Sequence, residues 1–320
     1  MLTGAHRSDL QARAALPPDL AELRAAALSA RNPDCADARV AIAAALAHVA
    51  FAAPERLVEV YDVLARAWLD EPIAGPSLIF AEAEPLPIPE EFWDAFWTLR
   101  DAIAAGGMGA GDVTRRTATL GSSLHPEFHL RAASAALSFV GVAEAAASGT
   151  PPRLSMQALA QCAPGSLGEA LHRLVTDHGF DLEPLDRDTL NLDLQAAPQN
   201  YLSARMLQSH DLWHLVAGYE TTGLHEIAIS AFQMAQFGQP YSAILLAGVM
   251  VGASVREDAF VRMLHTVVTG WKHGRETPPM IGIPWEEVWD LPVEEVRERY
   301  GVRPYASPYP ADLVERLRAA

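Results

Sequence analysis

The chain reads as all-α, a multi-helix bundle, and three observations carry that reading. Apolar residues recur with a period near 3.6 in one segment after another, the spacing of a helix face turned towards a core. Several of these segments carry a proline or aspartate near their start, where a helix tolerates or prefers one. No segment alternates with period two for long enough to build a sheet.

Composition bounds the rest. Half of the 320 residues are hydrophobic and 20% are charged, the balance of a folded protein with one large core or two modest ones. A net charge of −16 excludes nucleic acid as a partner and disfavours electrostatic attachment to anionic lipid, leaving apolar attachment open. Cys35 and Cys162 stand alone, which fits a reducing compartment. The first residues lack the apolar core of a secretory signal, and the longest apolar run, Ala243 to Val255, is too short to span a bilayer. The expected location is cytoplasmic or membrane-peripheral.

From Pro17 to about Gly106 four helices are predicted, in PPDLAELRAAALSA, DCADARVAIAAALAHVAF, PERLVEVYDVLARAWL and PEEFWDAFWTLRDAIAA. Trp93 and Trp97 in the last are four apart, the spacing of a core pair. A proline-rich connector lies between Asp70 and Pro89. The run GGMGAGD, Gly106 to Asp112, is read as a flexible linker dividing an N-terminal helical extension, 1–110, from a second helical domain, 111–320. In that domain His125 and His129 are a rival ligand pair, but Pro126 belongs at a first helical position and leaves His125 as a non-helical cap. A turn at Pro164 to Gly168 then precedes a helix that Gly179 ends; His172 and His178 on it face different ways.

The chemistry gathers in SHDLWHLVAGYETTGLHE, Ser209 to Glu226. On a helix from about Asn200 to Ala217, His210 and His214 point the same way and Asp211 lies about 60° beyond His214. Gly218 ends the helix, Thr221 to Gly223 turn the chain, and Glu226 falls one turn into the next helix, facing back towards the histidines. Two imidazoles and two carboxylates suit a divalent ion, zinc foremost, with iron, manganese or cobalt as alternatives. The plainer reading is a pair of core histidines hydrogen-bonded to the two acids. Ser230 and Gln233 share the face of Glu226, and Arg275 sits in the basic run Lys272 to Arg275; these three are candidate substrate contacts. YSAILLAGVMVGASV is apolar nearly all round, as a central core helix or as one wall of a lipid-sized cavity. PVEEVRERYG closes as a short amphipathic helix, and RPYASPYPAD is read as a surface strap.

His210-Asp211-x-x-His214, eleven residues and then Glu226 resembles the signature of the coenzyme Q (ubiquinone) biosynthesis protein 4 family. PGSLG followed by a helix and HGFD, and the stretch GRETPPMIGIPWEEVWDLPVEEVRERYGV, resemble that family's flanking segments in the same order. The resemblance covers about Leu124 to Val302 and leaves the first 120 or so residues unmatched. It implies an all-helical fold, peripheral membrane association, and partners among the polyprenylated ring intermediates and other proteins of ubiquinone biosynthesis. It implies further that His210, Asp211, His214 and Glu226 are metal ligands and catalytic residues, removing the ring carboxyl at C1 and replacing it with hydroxyl. A homo-oligomer is expected. Two other readings stay open. One is a non-catalytic, metal-stabilised lipid-binding scaffold. The other is a zinc peptidase, from whose His-Glu-x-x-His pattern Asp211 departs. For a prenylated substrate, an apolar channel should run from the metal corner between the Leu224 to Phe237 helix and the Tyr241 to Val255 segment.

Overall fold

A computed structural model of the chain describes residues 2–149, 151–179 and 198–319. Among the described residues there are sixteen α-helices and no strand, only an isolated bridge between Ser166 and Pro292. Phe180 and Asp181 of the HGFD segment lie outside the described residues.

The N-terminal part begins with α1, Gly4–Ala14, a helix the periodicity did not mark, followed by α2, Leu20–Ser29, and α3, Ala36–Phe51. Asp19 caps α2 by accepting from the amides of Ala21 and Glu22, which satisfies two otherwise unpaired donors. Then come α4, Leu57–Leu69, and α5, Glu90–Ala105. Trp93 and Trp97 are buried and stacked at 5.9 Å, as a core pair should be. The glycine run makes only a tight turn, because α6, Ala110–Gly121, starts inside it. Next are α7, Phe128–Ala136, α8, Val142–Ala146, α9, Met156–Leu159, and α10, Leu167–His178. Ser166 caps α10 and Gly179 ends it in the left-handed conformation. The remaining helices are α11, Gln199–Ala217, α12, Gly223–Phe237, α13, Pro240–Ala253, α14, Glu257–Glu276, α15, Val293–Tyr300, and α16, Leu313–Ala319.

One continuous buried cluster runs from Leu10 to Tyr305, so helices on both sides of Gly106 share a core. At its centre α13 packs against α12 and α14, and α3 covers much of its remaining surface. The α3 helix can approach because Ala43, Ala44, Ala47 and Ala50, all buried, give it a low profile. This explains a helix apolar on every side: α13 is a core element. The α12 helix packs closely on α14, where a Cβ added at Gly270 would lie 2.3 Å from the Ala228 carbonyl oxygen. Only glycine allows that approach.

Arg275 belongs to this framework. Its guanidinium is buried, with Nε 3.3 Å from Asp62 Oδ1 and Nη2 donating to the Pro76 carbonyl at 2.7 Å. Trp271 Nε1 donates to the same Asp62 oxygen at 2.8 Å. Its donors therefore tie α14 to the N-terminal helices; in the structure its partners come from there and not from the corner.

Candidate metal centre

The centre sits where α11 turns into α12. Gly218 closes α11 at φ +77°, a left-handed conformation that costs other residues strain. A Cβ there would also meet Pro304 at 2.8 Å. Buried pairs hold α11 itself in place: Arg205 reaches Glu286 at 2.7 Å and the Ile283 carbonyl at 2.5 Å, and Trp285 Nε1 donates to Ser209 Oγ at 3.1 Å. The face opposite the histidines is thus buried too, with Arg205 and Ser209 paired to the 283–286 segment and Gln208 donating to the Pro152 carbonyl.

Three side chains converge. His210 Nε2 and His214 Nε2 are 3.1 Å apart, and Glu226 brings Oε2 within 3.4 Å of the first and Oε1 within 3.3 Å of the second. Donors held at about 2.0–2.1 Å from one tetrahedral ion stand about 3.3 Å from one another, so the triangle has the dimensions of a zinc-type site. Two histidines and a glutamate are also a donor set that leaves a fourth position open. The site opens on one side, since the His214 side chain is 3% exposed, His210 30% and Glu226 45%.

The rings are held by groups behind them. His214 Nδ1 is 3.1 Å from the Tyr219 carbonyl oxygen; a carbonyl only accepts, so the proton lies on Nδ1 and the Nε2 lone pair faces the triangle. His210 Nδ1 pairs with the Gln233 side chain, which Ser242 contacts in turn at 3.4 Å. Gln233 therefore steadies a ring, whereas Ser230 donates back to the Glu226 carbonyl at 2.7 Å. Without metal, burial lowers the pKa of His210, but the hydrogen bond and charge of Glu226 outweigh it and the net shift is upward. Burial works to raise Glu226, yet both imidazoles more than offset it and hold its carboxyl well below the usual range.

Asp211 is not part of the triangle: among the described residues the converging group is His210, His214 and Glu226, with ligand atoms within 4.8 Å of one another. One residue on from His210, it is rotated by about 100° around the helix. Burial pushes its carboxyl pKa up, against the pull of both histidines. The rival pair does not converge, because His125 Nδ1 accepts from the Glu127 amide as a local cap while His129 Nε2 turns to the Gly121 carbonyl at 3.0 Å. Sequence reasoning missed Tyr219, whose contribution is a backbone carbonyl and leaves no side-chain signal. It also missed His273, whose Nδ1 accepts from the Tyr219 hydroxyl at 2.7 Å while Nε2 donates to the Arg303 carbonyl.

A cavity of about 10 Å³ lies between α7 and the α12–α13 turn, lined by Ala132, Ala136, Leu202, Phe237 and Pro240, room for about one water molecule. No helix among the described residues is long and apolar enough to cross a membrane.

Residues 150–306 match the family described as coenzyme Q (ubiquinone) biosynthesis protein Coq4. The chain is 30% identical over 156 residues to the mitochondrial ubiquinone biosynthesis protein COQ4 of Eremothecium gossypii, covering 48% of this chain and 46% of that one. It is 27% identical over 174 residues to the protein of the same name from Lachancea thermotolerans, covering 53% and 50% respectively. The chain thus spans about half the length of the curated relatives it matches. A crystal structure of a Nostoc punctiforme protein, described as a candidate ubiquinone biosynthesis protein, superposes with a TM-score of 0.50 at 24% identity, over 67% of this chain and 98% of the other; it is a likeness of fold. The cytoplasmic expectation is corrected by these relatives, which are named as mitochondrial proteins.

Proposed function

Because this chain belongs, through residues 150–306, to the Coq4 family of ubiquinone biosynthesis proteins, we propose that it acts in ubiquinone biosynthesis as a metal-dependent decarboxylase of a polyprenylated hydroxybenzoate. The observation that supports the chemistry is the triangle of His210, His214 and Glu226 with its open side. A divalent ion held there would act as a Lewis acid on the ring's carboxylate or phenolic oxygen and lower the barrier to loss of carbon dioxide from C1.

The protein's own groups do the positioning. The Tyr219 carbonyl keeps the His214 proton on Nδ1, Gln233 fixes the His210 ring, and Glu226 supplies the negative charge that balances a cation. Zinc is redox-inert, so replacement of the carboxyl by hydroxyl needs iron or manganese in its place, or an electron-rich ring that reacts with dioxygen itself. Polyprenylated intermediates, other ubiquinone-biosynthesis proteins and a membrane surface are the proposed partners, with the chain as a homo-oligomer.

The test is direct: protein with measured metal content is given a prenylated hydroxybenzoate, and carbon dioxide release is followed. Release that His214→Ala abolishes supports the reading; no release from metal-loaded protein overturns it. The same assay separates a second reading, a non-catalytic metal-stabilised lipid-binding scaffold. Metal-dependent binding of the prenylated compound without turnover would support it.

A further inference from the structure

The chain beyond α15 returns to the corner and touches it at several points. Pro304 lies against Gly218. The Tyr305 amide donates to the Ala217 carbonyl at 2.8 Å. The Tyr305 ring stacks on Tyr219, centroids 4.6 Å apart and planes 21° from parallel, while its hydroxyl pairs with Thr269 Oγ1 at 2.8 Å. Further on, Thr222 Oγ1 donates to the Ala311 carbonyl at 2.8 Å, and the Gly223 amide donates to Glu315 Oε1 at 2.8 Å.

The atoms chosen are the ones a helix-turn-helix corner leaves unpaired. The last carbonyl of α11 and the first amide of α12 have no partner within their own helices, and the returning segment supplies both. Thr222 occupies the cap position of α12 and makes no side-chain cap bond; its hydroxyl is turned to donate to the Ala311 carbonyl. Glu315 caps the helix in its place, and its negative charge suits the positive end of the helix dipole. Glu226 lies in that same first turn, its amide bonded to the Thr222 carbonyl at 2.8 Å. Ala311 and Glu315 fall outside the segment that matches the family, so nothing about them is carried over from relatives.

We infer that residues 303–315 are a strap that positions the metal corner, and that Glu315 is its positioning residue, holding the first turn of α12 so that Glu226 faces His210 and His214. The inference rests on the metal reading of the triangle. It makes strap docking and metal binding reciprocal: whatever the strap adds to metal affinity, the metal adds to docking of the strap.

The test uses the full chain and zinc alone, by competition with a chromophoric chelator at neutral pH. Zinc affinity is expected to fall about fivefold in Glu315→Ala, the factor that corresponds to a helix cap of about 1 kcal/mol. Glu315→Gln, which keeps an acceptor oxygen, should recover part of the loss. Arg316→Ala, which removes a side chain bonded to Asp312, should bind as wild type does. A purely structural strap would not respond to the metal, so the second readout is amide exchange at Gly223 and Tyr305, expected to slow when zinc is added to wild type. Wild type that binds no zinc overturns the metal reading and the inference with it. Wild type that binds zinc without slowing those amides, or Glu315→Ala that binds zinc as tightly, overturns the inference alone. If Glu315→Ala does not fold, Glu315→Gln and the exchange measurement decide.

Discussion

His214 is committed at both ring nitrogens, to Tyr219 on one side and to the triangle on the other, so its loss cannot be compensated by rotation. His214→Ala is expected to lose bound metal and activity. It should also lose the stabilisation that bound metal supplies, about 2.7 kcal/mol at a hundredfold excess over Kd. His125→Ala, which removes only a local cap, should keep metal; metal analysis and melting curves check both. The metal-free triangle has its own pH signature. Glu226 titrates below its ordinary 4.5 and so stabilises above that value, losing the contribution as pH falls. His210 titrates above its ordinary 6.5 and so stabilises below that value, losing the contribution as pH rises. The melting-temperature gap between wild type and Glu226→Gln, measured with chelator present, should therefore be widest between about pH 4.5 and 6.5. Metal affinity should run the other way at the upper end, growing as the His210 imidazole becomes neutral. The two histidines and Glu226 were legible because helical period and a glycine corner are local rules. The exclusion of Asp211 was harder to read, since its step of about 100° from His210 competes with its nearness to His214.

The α12 helix is placed by its packing on α14 as much as by the corner. Gly270→Ala would force a Cβ against the Ala228 carbonyl and is expected to cost about 1–3 kcal/mol, the usual range for overpacking. Because Glu226 is two residues before Ala228, metal affinity should weaken in the same variant, and chelator competition together with melting would show both. Most helices could be read from their periodicity, since an amphipathic face repeats within a dozen residues. The α1, α9, α14 and α16 helices were not read from it, and α6 hid behind glycines that turn the chain and then enter the helix. Arg275 shows the same limit: the basic run near the motif suggested a substrate contact, but the acid that pairs with it, Asp62, lies 213 positions away.

At the scale of the whole molecule, a sequence division at 110 crosses a shared core. Removing residues 2–105 would strip α3 from α13, a helix apolar nearly all round, and expose part of its apolar surface. Such a face on a soluble chain drives association, so light scattering should show the truncated protein aggregating while the full chain does not. That core has a converse consequence, for a cut in place of a deletion. Gly106 and Gly107 form an exposed turn in which both residues have φ +82°. A protease acting there would sever the backbone without parting the helices, since the two pieces grip each other across α3 and α13. The nicked molecule should elute as one particle and come apart only in denaturant, and the two fragments, synthesised separately, should find each other and rebuild the core they share.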